Sequence, residues 1–274
     1  MNCLICNIPT SKVLEGRILG KYTVDYFKCP ECEIIKPENP HWLAESYSSA
    51  IAATDVGLVS RNLYHADVVN AILARLQDPA KQVLDVGGGY GLLCRILRDR
   101  GWDCYTMDSY CENMLARNFD APEGMQADTL LAFEVFEHIE DPMEFVRSKV
   151  KEHGAKLFVF STLTHSWDVP PKDWSYYAFE TGQHISLYKR ATLSAIAKQI
   201  GWHYIPLTDG LHMFCKEKPD FIDELLLTKR MRIISRLYRF YAGFMRRSNR
   251  RLMEDYEQIK AGVKRSQSRN QTEE

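Results

Sequence analysis

A chain of 274 residues, 45% hydrophobic and 26% charged, is long enough for one large domain or a medium domain with accessory pieces. This composition excludes a wholly disordered chain, a collagen-like chain and a disulfide-dense miniprotein. With 35 Lys+Arg against 36 Asp+Glu, the formal net charge of -1 argues against a protein that coats nucleic acid along its whole surface.

The start, Met1 to Cys6, lacks the basic residues and apolar stretch of a signal peptide, and no apolar run nears the roughly 20 residues that cross a bilayer. A soluble, cytoplasmic protein with reduced thiols is therefore expected. Four cysteines fall early, as Cys3-x-x-Cys6 and, 22 residues later, Cys29-x-x-Cys32. Each pair can bring two thiolates onto one tetrahedral ion, and the intervening stretch suffices for a small hairpin, so Cys3, Cys6, Cys29 and Cys32 are expected to hold a structural zinc. Buried structural cysteines or a redox pair are the alternatives. All four positions being filled, such a zinc would not be catalytic. The Pro- and Ser/Ala-containing stretch 37–60 reads as a linker.

Residues 61–77 carry Leu63, Val68, Val69, Ile72, Leu73 and Leu76 at helical spacing, and Asp78-Pro79 ends that helix. A strand over 82–86 runs into Gly87-Gly88-Gly89-Tyr90-Gly91, a helix follows to Arg100, and a second strand over 103–108 ends at Asp108. A further apolar run from Thr129 to Phe136 precedes Glu137-His138-Ile139-Glu140-Asp141-Pro142. A helix over 143–152, a strand over 156–160, a helix over 191–200 and a hairpin within 202–216 complete the series. Alternating strands and helices with short connections predict an α/β, Rossmann-like domain with a mostly parallel sheet and flanking helices, over 61–218. It is preceded by a zinc ribbon over 1–36 and followed by a basic helical extension with a polar tail over 219–274.

The pattern Asp85-x-Gly87-x-Gly89-x-Gly91 follows a strand and opens a helix, so a ligand can lie against bare backbone amides. Asp108, ending the next strand, stands where a ribose diol is gripped. Leu92 occupies the place where a dinucleotide fingerprint needs glycine or alanine, and Asp85 ahead of the first glycine is also atypical of it. Both departures favour S-adenosylmethionine over NAD.

Residues Val83 to Gly91, with Asp108 and the run Ala132 to Pro142, resemble the class I S-adenosylmethionine-dependent methyltransferases over roughly 61–215. The resemblance implies that Asp85, Gly87, Gly88, Gly89, Tyr90 and Gly91 underlie the cofactor, that Asp108 binds its ribose, and that Phe133-Glu134 pass near the sulfonium. Met107 and Phe119 are the expected adenine neighbours.

On the substrate side, Trp174-Ser175-Tyr176-Tyr177 and Gly182 to Tyr188 follow the strand at 156–160, where loops of an open α/β sheet carry active sites. Aromatics among polar groups suit a sugar. His184 is the expected general base and His138 the second candidate, with Glu180 a solvated acid. The zinc unit, this core and the segment ending at Tyr188 are similar to bacterial sugar methyltransferases, including nucleotide-sugar C-methyltransferases. Those typically read His-Glu-His where this chain has Gly182-Gln183-His184, so the expectation is O-methylation of a sugar hydroxyl in a glycan or nucleotide-sugar, ahead of C-methylation.

An RNA methyltransferase with a zinc finger would want a basic surface and an Asn-Pro-Pro-aromatic motif; neither stands out in 1–218. A non-catalytic scaffold would not need the glycine loop with Asp108. Between 229 and 251 lie nine basic residues and no acid, interleaved with apolar positions at helical spacing. The other 251 residues therefore sum to ten negative charges. A basic amphipathic helix there can meet an anionic membrane surface or a partner protein, or pack on the catalytic domain.

Overall fold

The computed structural model describes residues 1–47, 57–76 and 81–219. The basic helix expected at 229–251, with the rest of the tail, lies outside the described residues.

The first unit is an antiparallel three-stranded sheet, β1 (Ser11–Ile18), β2 (Tyr22–Lys28) and β3 (Ile35–Pro37), in that order. Alternation sends Leu14, Ile18, Val24 and Tyr26 inward, where they meet Trp42, Tyr177, Ile185 and Leu187. The stretch read as a linker begins differently. Trp42 is buried, its indole nitrogen donates to Gly182 O at 2.8 Å, and the short α1 (Leu43–Ser46) follows it.

Then come α2 (Leu58–Arg75), β4 (Gln82–Val86), α3 (Leu92–Asp99), β5 (Asp103–Met107), β6 (Thr129–Ala132), α4 (Pro142–His153), β7 (Leu157–Ser161), α5 (Arg190–Gln199), β8 (His203–Pro206) and β9 (Leu211–Cys215). They build a six-stranded sheet ordered β5-β4-β6-β7-β9-β8, parallel through β7 and antiparallel at β9 and β8. Strand alternation sorts two cores. Leu84, Leu130, Phe158, Phe160 and Phe214 share one with α4 and α5, whereas Val83, Leu131, Val159 and Met213 share the other with α2 and α3. Phe136 stacks on Phe160 at 4.0 Å and is fully buried. Phe136→Ala is expected to destabilise the fold by about 3–5 kcal/mol in denaturant unfolding.

Three sequence expectations shift. The apolar run 129–136 is a strand only to Ala132; Phe136–His138 form a 3-10 turn that swings Phe136 back into the core. Leu63 is exposed, because six residues before Val69 lies about a third of a turn off the buried stripe of Ala66, Val69, Ile72 and Leu73. Phe119 is a core residue: its ring lies 3.5 Å beneath the buried Arg98 guanidinium, so its face has no room for an adenine.

Candidate active site

Strand order reverses between β4 and β6, so their carboxyl ends open a crevice at the switch point. The glycine turn lies there. Gly87 and Gly88 donate their amides to Met107 O at the end of β5, at 2.8 and 3.3 Å. Gly87, Gly89 and Gly91 all take left-handed φ, and Gly91 opens α3. Gly88 needs glycine for another reason: a Cβ there would stand 2.2 Å from Thr106 Oγ1 and 2.6 Å from Asp85 Oδ2. Gly88→Ala must therefore displace the turn. Cofactor affinity is expected to fall by about tenfold or more in calorimetry, and wild-type affinity would remove this turn from the site.

Asp108 holds the turn from the other side. Its Oδ2 accepts from Gly89 N at 2.9 Å, and Oδ1 accepts from Tyr110 N and Cys111 N at 2.7 and 2.9 Å. A carboxylate offers about four lone-pair sites, so Oδ2 keeps one for a hydroxyl donor. Asp85, at 2% exposure, has its Oδ2 buried with no hydrogen-bond donor. Burial, then the Asp108 charge, push its carboxyl up to about 7.

After β6, Glu134 sits at φ 57, a left-handed conformation uncommon outside glycine. Ser161 Oγ fixes it, accepting from the Glu134 amide at 2.7 Å and donating to Glu134 Oε1 at 2.7 Å; Arg61 pairs with Oε2 at 3.3 Å. Phe133 stacks on His65 at 4.2 Å. Burial lowers His65 to about 4, so this ring is a neutral platform. Arg61 and His65 both come from α2, and the sequence pattern gave them no functional mark.

The 3-10 turn places Glu137 and His138 opposite His184. The imidazole centroids of His138 and His184 are 5.0 Å apart, at a near-perpendicular angle. His138 Nδ1 donates to Gln183 O at 3.0 Å and His184 Nδ1 donates to Tyr176 O at 2.6 Å. Carbonyls only accept, so both rings carry a proton on Nδ1, and the neutral form of each has its lone pair on Nε2. Burial, then His184, lower His138 to about 4, which keeps it neutral. Glu137 is 1% exposed.

An aromatic chain borders this cluster. Tyr110 stacks on Tyr47 at 5.0 Å, Tyr47 meets His138 at 6.1 Å, and Tyr176 meets His184 at 4.5 Å. Tyr47 comes from the supposed linker. Trp174 is half-buried among Tyr176, Tyr177, His165 and Trp167, so much of its ring serves packing. Glu180 is exposed and stands apart from both histidines' hydrogen bonds.

Away from the crevice, Cys3, Cys6, Cys29 and Cys32 bring their sulfurs within 4.8 Å of one another. Cys3 and Cys32 sulfurs are 3.6 Å apart, near the edge of about 3.8 Å for a tetrahedron with 2.3 Å metal–sulfur bonds. The two pairs are built alike. Cys3 N donates to Ile8 O and Asn7 N to Cys3 O, just as Cys29 N donates to Ile34 O and Glu33 N to Cys29 O. Asn7 and Glu33, each following the second cysteine, take left-handed φ.

A methyltransferase-domain family profile matches residues 60–207, more than half of the chain. The chain belongs to that family. It is an S-adenosylmethionine-dependent methyltransferase. Solved structures similar to the enzyme include magnesium protoporphyrin IX methyltransferase from Synechocystis PCC 6803, at 16% identity and TM-score 0.43 over 64% of this chain and 91% of that one. The plantazolicin methyltransferase BpumL is 13% identical with TM-score 0.43 over 65% and 95%. A putative O-methyltransferase from Nostoc punctiforme PCC 73102 is 14% identical with TM-score 0.45 over 65% and 61%. No curated protein matches the enzyme in sequence. Among the described residues, no helix is long and apolar enough to cross a membrane.

Proposed function

We propose that the enzyme methylates an oxygen of a sugar, in a glycan or a nucleotide-sugar. The observation that carries this reading is the approach of His138 and His184, rings 5.0 Å apart and each bonded through Nδ1 to a carbonyl, with an aromatic border at the carboxyl edge of the sheet. A hydroxyl acceptor has one proton to lose, and lone-pair nitrogens at the acceptor position suit its removal. The border of Tyr47, Tyr110 and Tyr176 suits a pyranose, whose apolar face stacks while its hydroxyls bond. When bound, S-adenosylmethionine supplies the methyl group on a sulfonium. The chain's own part is to hold that sulfur and the acceptor oxygen in line, which contributes much of the rate. In this assignment the glycine turn from Gly87 to Gly91, with Tyr90, carries the cofactor, Asp108 takes the ribose, Met107 borders the adenine, and Phe133-Glu134 border the sulfur.

Methyl transfer to nucleotide-sugars and glycans, measured beside transfer to total RNA, tests the acceptor. Methylated RNA as the only product would overturn the sugar reading. The orphaned Asp85 oxygen beneath the turn suits the cofactor's cationic amino end, which favours the ionised carboxylate. Since the carboxyl sits near 7, affinity for S-adenosylhomocysteine should be about tenfold weaker at pH 6 than at pH 8, with a flat profile in Asp85→Asn. Equal profiles for both proteins would detach Asp85 from binding.

The four thiols are assigned to a structural zinc, supported by the tetrahedral spacing and paired turns. The basic run 229–251 is assigned to an anionic surface. Co-sedimentation with anionic vesicles at low but not high salt is expected, and no pelleting at low salt ends that assignment.

A further inference from the structure

We propose that Glu137, His138 and His184 form a second metal site, one that takes a divalent first-row transition cation and presents the acceptor oxygen to it. This deepens the oxygen-methylation reading and rests on it. One ligand atom from each of the three side chains lies within 4.8 Å of the others. Both imidazoles are already arranged as ligands are. A metal-binding histidine typically donates its second ring N–H to a carbonyl, which fixes tautomer and orientation, and here Gln183 O and Tyr176 O accept those hydrogens.

Glu137 supplies the independent observation. Its carboxylate is 1% exposed and its Oε2 is buried with no hydrogen-bond partner. A buried charge without a partner is strongly unfavourable. No side chain among the described residues relieves that oxygen. A cation between Glu137 and the two imidazoles would. The frame is also rigid: Glu137 O accepts from Ile185 N at 2.8 Å and from Ser186 N at 3.0 Å, lacing the 3-10 turn to the segment that carries His184.

Two nitrogens and one carboxylate suit manganese, cobalt or zinc better than magnesium, which prefers oxygens. Three protein ligands leave positions open, as catalytic sites require. Two neighbouring sugar hydroxyls could fill two of them. The cation lowers the acceptor hydroxyl's pKa, and the proton leaves to solvent. The oxygen then forms the new C–O bond as the S–CH3 bond breaks, and the sulfonium departs as a neutral thioether. His184 is then a ligand, in place of the free base expected from sequence.

The test uses the full chain with zinc in its cysteine site. Manganese titration followed by electron paramagnetic resonance should show one bound ion per chain, with a signature free of thiolate ligation. Glu137→Gln and, separately, His184→Asn should weaken manganese binding by at least about tenfold while S-adenosylhomocysteine still binds, which also reports that each variant is folded. Absence of manganese, cobalt and extra zinc binding in the wild type overturns the site, as does wild-type manganese affinity in both variants. The two readings fail separately: an intact metal site with methylated RNA as the only product defeats the sugar, whereas sugar methylation undiminished without the second metal defeats the site.

Discussion

His184→Ala should keep S-adenosylhomocysteine affinity and lose at least about 100-fold in turnover with any acceptor. The reasoning is geometric. His184 is bonded through Nδ1 to Tyr176 O and stands 5.0 Å, ring to ring, from His138, whereas the glycine turn is organised by Met107 O and Asp108. Removing the imidazole therefore takes away one lone pair at the acceptor and leaves the cofactor's seat in place. Stopped or quenched single-turnover assays separate the chemical step from binding. Near wild-type turnover would take His184 out of the mechanism. His184→Gln, which keeps a hydrogen-bonding group near Tyr176 O, should bind S-adenosylhomocysteine equally well and still lack the rate, because the imidazole nitrogen is what the acceptor needs.

The second large effect is expected at the cysteines. Cys29→Ser combined with Cys32→Ser should abolish zinc retention, lower the melting temperature and remove methyl transfer, although both cysteines belong to the cluster away from the crevice. With zinc on its four thiols, a unit this small would draw much of its folding free energy from the metal, on the order of 10 kcal/mol in isolated zinc peptides. Here the unit also holds the chain just after His184. Thr192 Oγ1 donates to Cys32 O at 2.7 Å, Lys189 pairs with Glu33 at 2.7 Å, and Ile35 and Leu187 exchange main-chain bonds. Leu187 is three residues from His184, and Trp42 holds Gly182 O two residues before it. Loss of the unit should thus release the segment that presents His184. The measurements are zinc content, thermal unfolding and turnover on one preparation. A zinc-free double variant with wild-type turnover would show that the unit and the catalytic segment are uncoupled.

Much of the fold was legible because parallel sheets leave a strong trace. Val83-Leu84-Asp85-Val86 is apolar except for Asp85, runs into glycine and is followed by a helix, and such a run has few other readings. Asp108 was legible for the same reason, being the first residue past a strand. Glu137 was overlooked as a group of its own, since an acid next to a histidine in a turn looks solvated until tertiary packing buries it. Tyr47 was hidden further, because only the fold carries it from an N-terminal, Ser/Ala-rich stretch to the ring of His138. Phe119 misled in the opposite direction. An aromatic in a short connection after Asp108 reads as a ligand contact, but the buried Arg98 needed that ring face.

The docking of the cysteine unit has a consequence for how the chain folds. Its partners lie far along the sequence: Cys32 meets Thr192 across 160 positions and Glu33 meets Lys189 across 156. During synthesis the knuckles and their hairpin emerge before the sheet, yet Leu14, Ile18 and Tyr26, beside Ile35 and Trp42, lack the rest of their cover until Tyr177, Ile185 and Leu187 follow. Long-range closure of this kind slows folding and prolongs the exposure of apolar surface. The nascent chain should therefore depend on early metal capture to hold its amino-terminal hairpin in register while the sheet that will receive it is still being made.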